Sequence, residues 1–561
     1  MSVQKKTFFR KKVDEAVVSC RDGYDLLRRQ GPGQIQFWFI ALVVGIAAGF
    51  AALFFRKGVD ALQTYIYGTD DIRQLHSFVE FLPWYLVLII PILGGLIVGV
   101  ILHNFTKDGR ARSVADVIHG AAMHDGRVET KAGIASAFAS MITLGTGGST
   151  GREGPVVHLA AVISTWVNRR ILADGITGRD LLGCAVAAAV SASFNAPIAG
   201  ALFALEVVLR HFAVHAFAPI VIASAAGTVI NRLEFGGVTE FALETVNEVQ
   251  FYQELPAYLM LGLVCGLVAV TLMRAIFWAD NFGTEVQNRA GIPRWLRPAI
   301  AGGMLGALAI FYPHIIGVGY ETTFLAMNAQ LVLWEAIVFA ILKVIAVAIT
   351  MAGRMGGGVF SPSLMIGALT GLSFGLIATS IFPDVSGSIS LYALAGMGAV
   401  AAAVLGAPIS TTLIVFELTG DWQTGLAVMI AVSMSTALAS RLVDRSFFLS
   451  QLERRNIHLA AGPQAYLLAM FRVSGILRGK DDPHAADEKA CQQMIRDGVF
   501  VERNATLEAV MPLFDEGYSF VPVVSVRSEG EQPRLVGALF HVDALKIYNR
   551  ALAATAAEEH S

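Results

Sequence analysis

The chain has 561 residues, of which 55% are hydrophobic and only 15% charged. A soluble domain carries about 25% charged residues, so this composition excludes an ordinary soluble enzyme, a disordered chain and a nucleic-acid binder. It leaves a polytopic membrane protein. The 42 basic and 44 acidic residues nearly cancel, so there is no strong global field.

The first 34 residues are polar and carry Lys5, Lys6, Arg10, Lys11, Lys12, Arg21, Arg28 and Arg29. The apolar run 37–55 follows without a small-residue cleavage site, so no cleaved leader is expected, and the positive-inside rule puts the N-terminus in the cytoplasm. Further long runs lie at 82–103, 213–230, 256–278, 331–349, 364–382 and 424–441. Shorter or broken ones lie at 132–144, 155–166, 183–206, 297–311, 390–405 and 407–417. Several cannot cross about 30 Å of hydrocarbon. They read as half-helices or tilted helices, whose broken backbone must be buried in protein or line an aqueous site. Residues 1–35 form an N-terminal segment and 36–455 the membrane part. A more polar tail of 456–561, joined through Leu452–Arg455, shows no spanning run. Cys20, Cys184, Cys265 and Cys491 are scattered and suggest neither disulfides nor a zinc site.

The membrane part repeats. Thr143-Leu-Gly-Thr-Gly-Gly-Ser-Thr-Gly-Arg-Glu-Gly-Pro155 aligns without gaps on Thr350-Met-Ala-Gly-Arg-Met-Gly-Gly-Gly-Val-Phe-Ser-Pro362, an offset of 207. Asn195-Ala-Pro-Ile through Glu206 aligns on Gly406-Ala-Pro-Ile through Glu417, an offset of 211. Two ordered matches at nearly equal offsets imply a duplicated fold, with halves near 36–240 and 250–445. Such repeats place a substrate site near the midplane, between discontinuous helices.

Gly151-Arg152-Glu153-Gly154-Pro155 and Gly358-Val359-Phe360-Ser-Pro362 each read as a glycine-rich helix start. A helix N-terminus offers unpaired N–H groups and about half a positive charge, so two related starts can build an anion site. Glu153 is either an ordinary capping carboxylate paired with Arg152 or a gate that competes with the anion for the same N–H groups. Glu206 and Glu417 occupy equivalent repeat positions, which argues for a structural role in capping neighbouring helices. Lys343 reads as paired or snorkelling. His158 is read as a satisfied core histidine in preference to a proton relay. No nucleophile elbow or metal-ligand spacing appears, so neither an enzyme nor a cofactor or metal is expected.

These motifs resemble the CLC family of chloride channels and anion/proton antiporters. Residues 151–155 match its G-[KR]-E-G-P motif, 358–362 its G-x-F-x-P motif, and 195–206 its next long stretch, in the family's order across about 36–455. The resemblance implies an all-α inverted-repeat fold of tilted and broken helices and a homodimer with one pore per subunit. It implies chloride or another small anion as the substrate, Glu153 as the gate, and anion contacts at the two helix starts, including Arg152, Gly154, Gly358 and the amides of Val359 and Phe360. It also implies an integral protein of the bacterial inner membrane with both termini cytoplasmic.

Three positions depart from the family pattern. Arg112 stands where an anion-binding serine is expected, unless it merely faces the cytoplasm with Lys107 and Arg110. Phe448 stands where an anion-binding tyrosine is expected. Arg112 would favour a larger or multi-oxygen anion, so a variant specialised for fluoride, bicarbonate or another anion is one alternative. Val207 replaces an acid that relays protons in many family antiporters, which favours a channel or uniporter over proton exchange. Arg354, where the repeat partner has Gly147, either reaches the pore or pairs with a loop carboxylate. The tail resembles one α/β CBS module, opening at 471–477, with strands at 520–526 and 534–540 and helices starting near Asn504 or Thr506 and at His541. A dimerisation or stability role suits it; no signature supports adenine-nucleotide binding.

Overall fold

The computed structural model describes residues 33–69, 74–171, 175–212, 214–236, 251–383, 385–420, 422–457, 459, 468, 471–480, 482–503, 505–525 and 534–560. The basic N-terminal run, Cys20, Asn504 and the stretch between the two halves lie outside them. The first half runs α1 (Gln34–Tyr67), α2 (Leu75–Glu80), α3 (Trp84–Phe105), α4 (Val114–Met123), α5 (Thr130–Gly145), α6 (Glu153–Ile171), α7 (Ile176–Phe194), α8 (Pro197–Phe203) and α9 (Val214–Phe235). The second half answers with α10 (Phe251–Ala290), α11 (Arg297–Phe311), α12 (Tyr320–Met327), α13 (Leu333–Ala352), α14 (Phe360–Ile381), α15 (Ile389–Leu405), α16 (Pro408–Thr419) and α17 (Trp422–Leu442).

Seven of the described helices are long and apolar enough to cross a membrane, and each carries one of the seven long runs read from the sequence. The short runs become α5–α8, α11, α15 and α16. The break inside 183–206 falls at Asn195, whose left-handed backbone (φ 55°) ends α7 before Pro197 opens α8. Gly406 (φ 69°) ends α15 before Pro408 in the same way. Beyond Phe203 the first of these helices widens into a π-helical turn, Ala204–Leu209, which carries Glu206.

The halves interlock. Glu206 accepts from the N–H groups of Ile409 (2.9 Å) and Ser410 (2.8 Å), the first turn of α16. Glu417 accepts from those of Ile198 (3.0 Å) and Ala199 (2.8 Å), the first turn of α8. Each carboxylate therefore satisfies N–H groups that a helix start leaves without intrahelical partners. At the α3–α11 crossing the backbones nearly touch: a Cβ on Gly95 would meet the Pro298 carbonyl at 2.2 Å, and one on Gly302 the Pro91 carbonyl at 2.0 Å. Small residues allow this approach where lipid supplies no hydrophobic drive for association.

After α18 (Phe447–Glu453) the tail forms its own layer. Its sheet has strand order β1-β4-β3-β2, with β1 at Arg478–Gly479, β2 at Val501–Glu502, β3 at Phe520–Ser525 and β4 at Arg534–Phe540. β2 pairs parallel with β3, and the other pairs are antiparallel. A separate apolar cluster, including Val473, Leu507, Phe514, Val521 and Leu539, fills it. Thr506 stands just before the helix Leu507–Asp515, and His541 opens the last one.

Hydrogen bonds to a charged group contribute about 1.5–3 kcal/mol. Glu206→Ala and Glu417→Ala are each expected to lower stability by about that much, seen as a reduced thermal midpoint of purified protein in detergent. Equal midpoints for wild type and both variants would contradict the reciprocal capping.

Candidate functional site

Two glycine-rich strands meet at the middle of the fold. Gly151 and Gly358 exchange both backbone hydrogen bonds, each 2.7 Å, as an isolated antiparallel bridge. The Thr150 hydroxyl adds a 2.8 Å bond to the Gly358 carbonyl. Gly357 adopts φ 146°, and a Cβ there would strike Thr150 Oγ1 at 2.1 Å, so the bridge needs glycine at that point. The bridge brings the starts of α6 and α14 side by side. The start of α4 joins them, and the three surround a cavity of about 20 Å³. Its lining includes Ser113, Glu153, Gly154, Gly358, Val359, Phe360 and Phe448.

Glu153 is 4% exposed. The Ser361 hydroxyl donates to its Oε1. A Cβ on Gly151 would lie 2.5 Å from its Oε2, so glycine leaves room for the folded-back carboxylate. The neighbouring Arg152 faces the other way. Its guanidinium donates to the Ser193 carbonyl (3.1 Å), lies over the Tyr320 ring and lines a second small cavity with His76, His314 and Glu321. Consecutive residues thus face two cavities. Arg152 does not line the central cavity, which corrects its expected place among the anion contacts.

On the side of the tail, the central cavity shares Ser113, Met351, Gly357 and Gln451 with a vestibule of about 860 Å³. Arg110, Arg289, Arg354, Arg454 and Arg455 line this vestibule, against Asp108, Asp280 and Glu285. Arg354 bends there with φ 56° and donates to the Asp108 carbonyl (3.3 Å).

Arg112 also leaves the place expected of it. Its guanidinium is bound to Asp108 and Glu129, each at 2.8 Å, and does not line the central cavity. Burial pushes the Asp108 carboxyl up, but Arg112 and then Arg110 overcome this and hold it below the usual carboxylate range. Two anionic partners hold Arg112 away from the central cavity, and the next residue, Ser113, reaches it at the N-cap of α4. The misreading is one position of register. Ser361 was missed although its motif was in view, because the signal lay in the fold-back of Glu153 rather than in spacing. Phe448 lines the cavity on α18. Val207 is buried and supplies no acid. Lys343 is fully buried and donates to the carbonyls of Ile315 (3.0 Å) and Gly317 (2.9 Å), a structural tie. Among the described residues no cluster of three metal-ligating side chains occurs.

The family model described as voltage gated chloride channel matches residues 94–440. The chain belongs to the voltage gated chloride channel family. A putative ClcB-like chloride channel protein of Ralstonia nicotianae is 31% identical over 398 residues, covering 70% of this chain and 91% of that protein. Among solved structures, a slow cyanobacterial Cl-/H+ antiporter aligns with a TM-score of 0.67 at 20% identity, covering 76% of this chain and 98% of its own. A CLC-type fluoride/proton antiporter aligns at 0.59 and 20% identity, covering 72% and 95%. The inverted-repeat helical fold of an integral membrane protein follows for this chloride-channel family member.

Ser113→Ala is expected to change the order of anion preference in competition flux assays, whereas Arg112→Ala leaves that order as it is. The reverse result would return the arginine to the ion path. Ser361→Ala removes a hydroxyl anchor on the Glu153 carboxylate. It is expected to raise anion efflux at neutral pH several-fold, since about 1.5 kcal/mol corresponds to roughly tenfold in an equilibrium. Unchanged efflux would contradict the anchor.

Proposed function

We propose that the chain carries a small inorganic anion of the chloride type across the membrane through the central cavity, with the Glu153 carboxylate as its gate. The carrying observation is the position of that carboxylate. It is folded into the cavity formed by the starts of α4, α6 and α14, where positive helix ends favour a negative charge. A carboxylate and a free anion compete for this place, and protonation or displacement of the side chain yields it to the ion. The amides of Val359 and Phe360, the N-cap at Ser113 and the Phe448 ring then surround the anion. The arginine-lined vestibule raises the local anion concentration at the entrance.

In this proposal the membrane part extends to about residue 455. The tail from 456 is a CBS-like unit on the cytoplasmic face, with the basic N-terminal segment on the same side, in a bacterial inner membrane. The protein acts as a homodimer with one path per subunit. Val207 favours passive flow. A buried histidine on the gate's own helix supports exchange of the anion for protons, and we infer exchange.

Glu153→Gln tests the gate. In proteoliposomes the variant is expected to lose the pH dependence of anion efflux, because the side chain no longer changes charge. An efflux–pH profile equal to that of wild type would overturn the assignment.

A further inference from the structure

His158 sits on α6, five residues beyond Glu153, a rise of about 7.5 Å along the helix. Its side chain is buried, at 1% exposure. Neither Nδ1 nor Nε2 has a hydrogen-bond partner among the described residues. Gly133 on α5 makes the room for the ring: a Cβ there would lie 2.6 Å from its Cε1 and 2.8 Å from its Nδ1. A polar atom buried without a partner is costly, so a histidine kept only to fill space is a poor choice beside leucine or phenylalanine. Both nitrogens being uncommitted is, however, what a relay requires. Such a ring takes a proton at one nitrogen and releases one from the other without first breaking a bond.

The charges around the ring fit that use. α4 packs against α6; burial is the largest influence on the imidazole and disfavours its charged form, and among the charges the Asp116 carboxylate in the first turn of α4 favours that form. Glu129, at the start of α5, acts in the same sense, and Arg112 in the preceding loop opposes them. Asp116 is held in turn by Arg455 (2.6 Å) and by the Ser113 N–H (2.8 Å). The ring therefore has Glu153 on its own helix and a fixed counter-charge on the neighbouring helix, at the end of α4 that borders the vestibule.

We propose that His158 is the inner proton station of this transporter, a proposal that rests on the reading of Glu153 as gate. The protonated Glu153 gives its proton to one ring nitrogen through bridging water and becomes a carboxylate again. The imidazolium is balanced by Asp116. The ring then releases a proton toward the vestibule and returns to the neutral form, so one proton crosses and no bond other than N–H and O–H changes.

The test uses full-length protein in proteoliposomes with a chloride gradient, recording chloride and proton movement together. Wild type is expected to drive protons against their gradient. His158→Gln should lower the proton-to-chloride ratio at least tenfold, and His158→Glu, which keeps a titratable group, should restore part of it. Asp116→Asn should lower the ratio at least threefold, which gives a readout if the His158→Gln protein does not fold. A wild type that moves no protons, or either neutral variant retaining the wild-type ratio, overturns the proposal. If Glu153→Gln abolishes the pH dependence of chloride efflux while His158→Gln keeps the ratio, the gate stands and the histidine role alone falls. If Glu153→Gln leaves that dependence intact, the gate falls with it.

Discussion

The positive ends of three helices that stop inside the protein point at one small cavity. Everything else at the site follows from holding them there. Helix dipoles directed at a common point repel one another and expose unpaired N–H groups, so the arrangement needs mechanical ties and a negative charge to face. The Gly151–Gly358 bridge is one tie. The crossed capping of α8 by Glu417 and of α16 by Glu206 is another. The Glu153 carboxylate, anchored by Ser361, is the charge.

This division explains why the fold spends carboxylates in two ways. Glu206 and Glu417 each accept two backbone N–H bonds across the repeat and are fixed by them. Glu153 accepts from a serine hydroxyl and lines the central cavity. The same carboxylate chemistry clamps helix starts in one setting and lines the central cavity in the other.

Much of this was legible in the sequence. Low charge content, the seven long apolar runs and the duplicated motifs carried the membrane fold, because hydrophobic length and repeat spacing are local properties of the chain. The symmetric glutamates were readable for the same reason. What spacing could not carry was side-chain direction. Arg112 and Ser113 are adjacent, and only the ion pairs with Asp108 and Glu129 decide which of them turns from the cavity. Arg152 and Glu153 are adjacent too, and the Ser193 carbonyl and Tyr320 ring draw the arginine to the opposite side. His158 reads from the sequence as a satisfied core residue; that its two nitrogens have no hydrogen-bond partner among the described residues is a tertiary fact that no motif encodes.

The central claim is that helix ends hold a free anion in the place where the Glu153 carboxylate now lies. Anomalous diffraction from protein crystallised in bromide tests it most directly. The account predicts a bromide peak in the cavity among Ser113, Val359, Phe360 and Phe448, stronger when Glu153 is replaced by glutamine. Bromide found only in the vestibule, with the cavity unlabelled in both proteins, would contradict it.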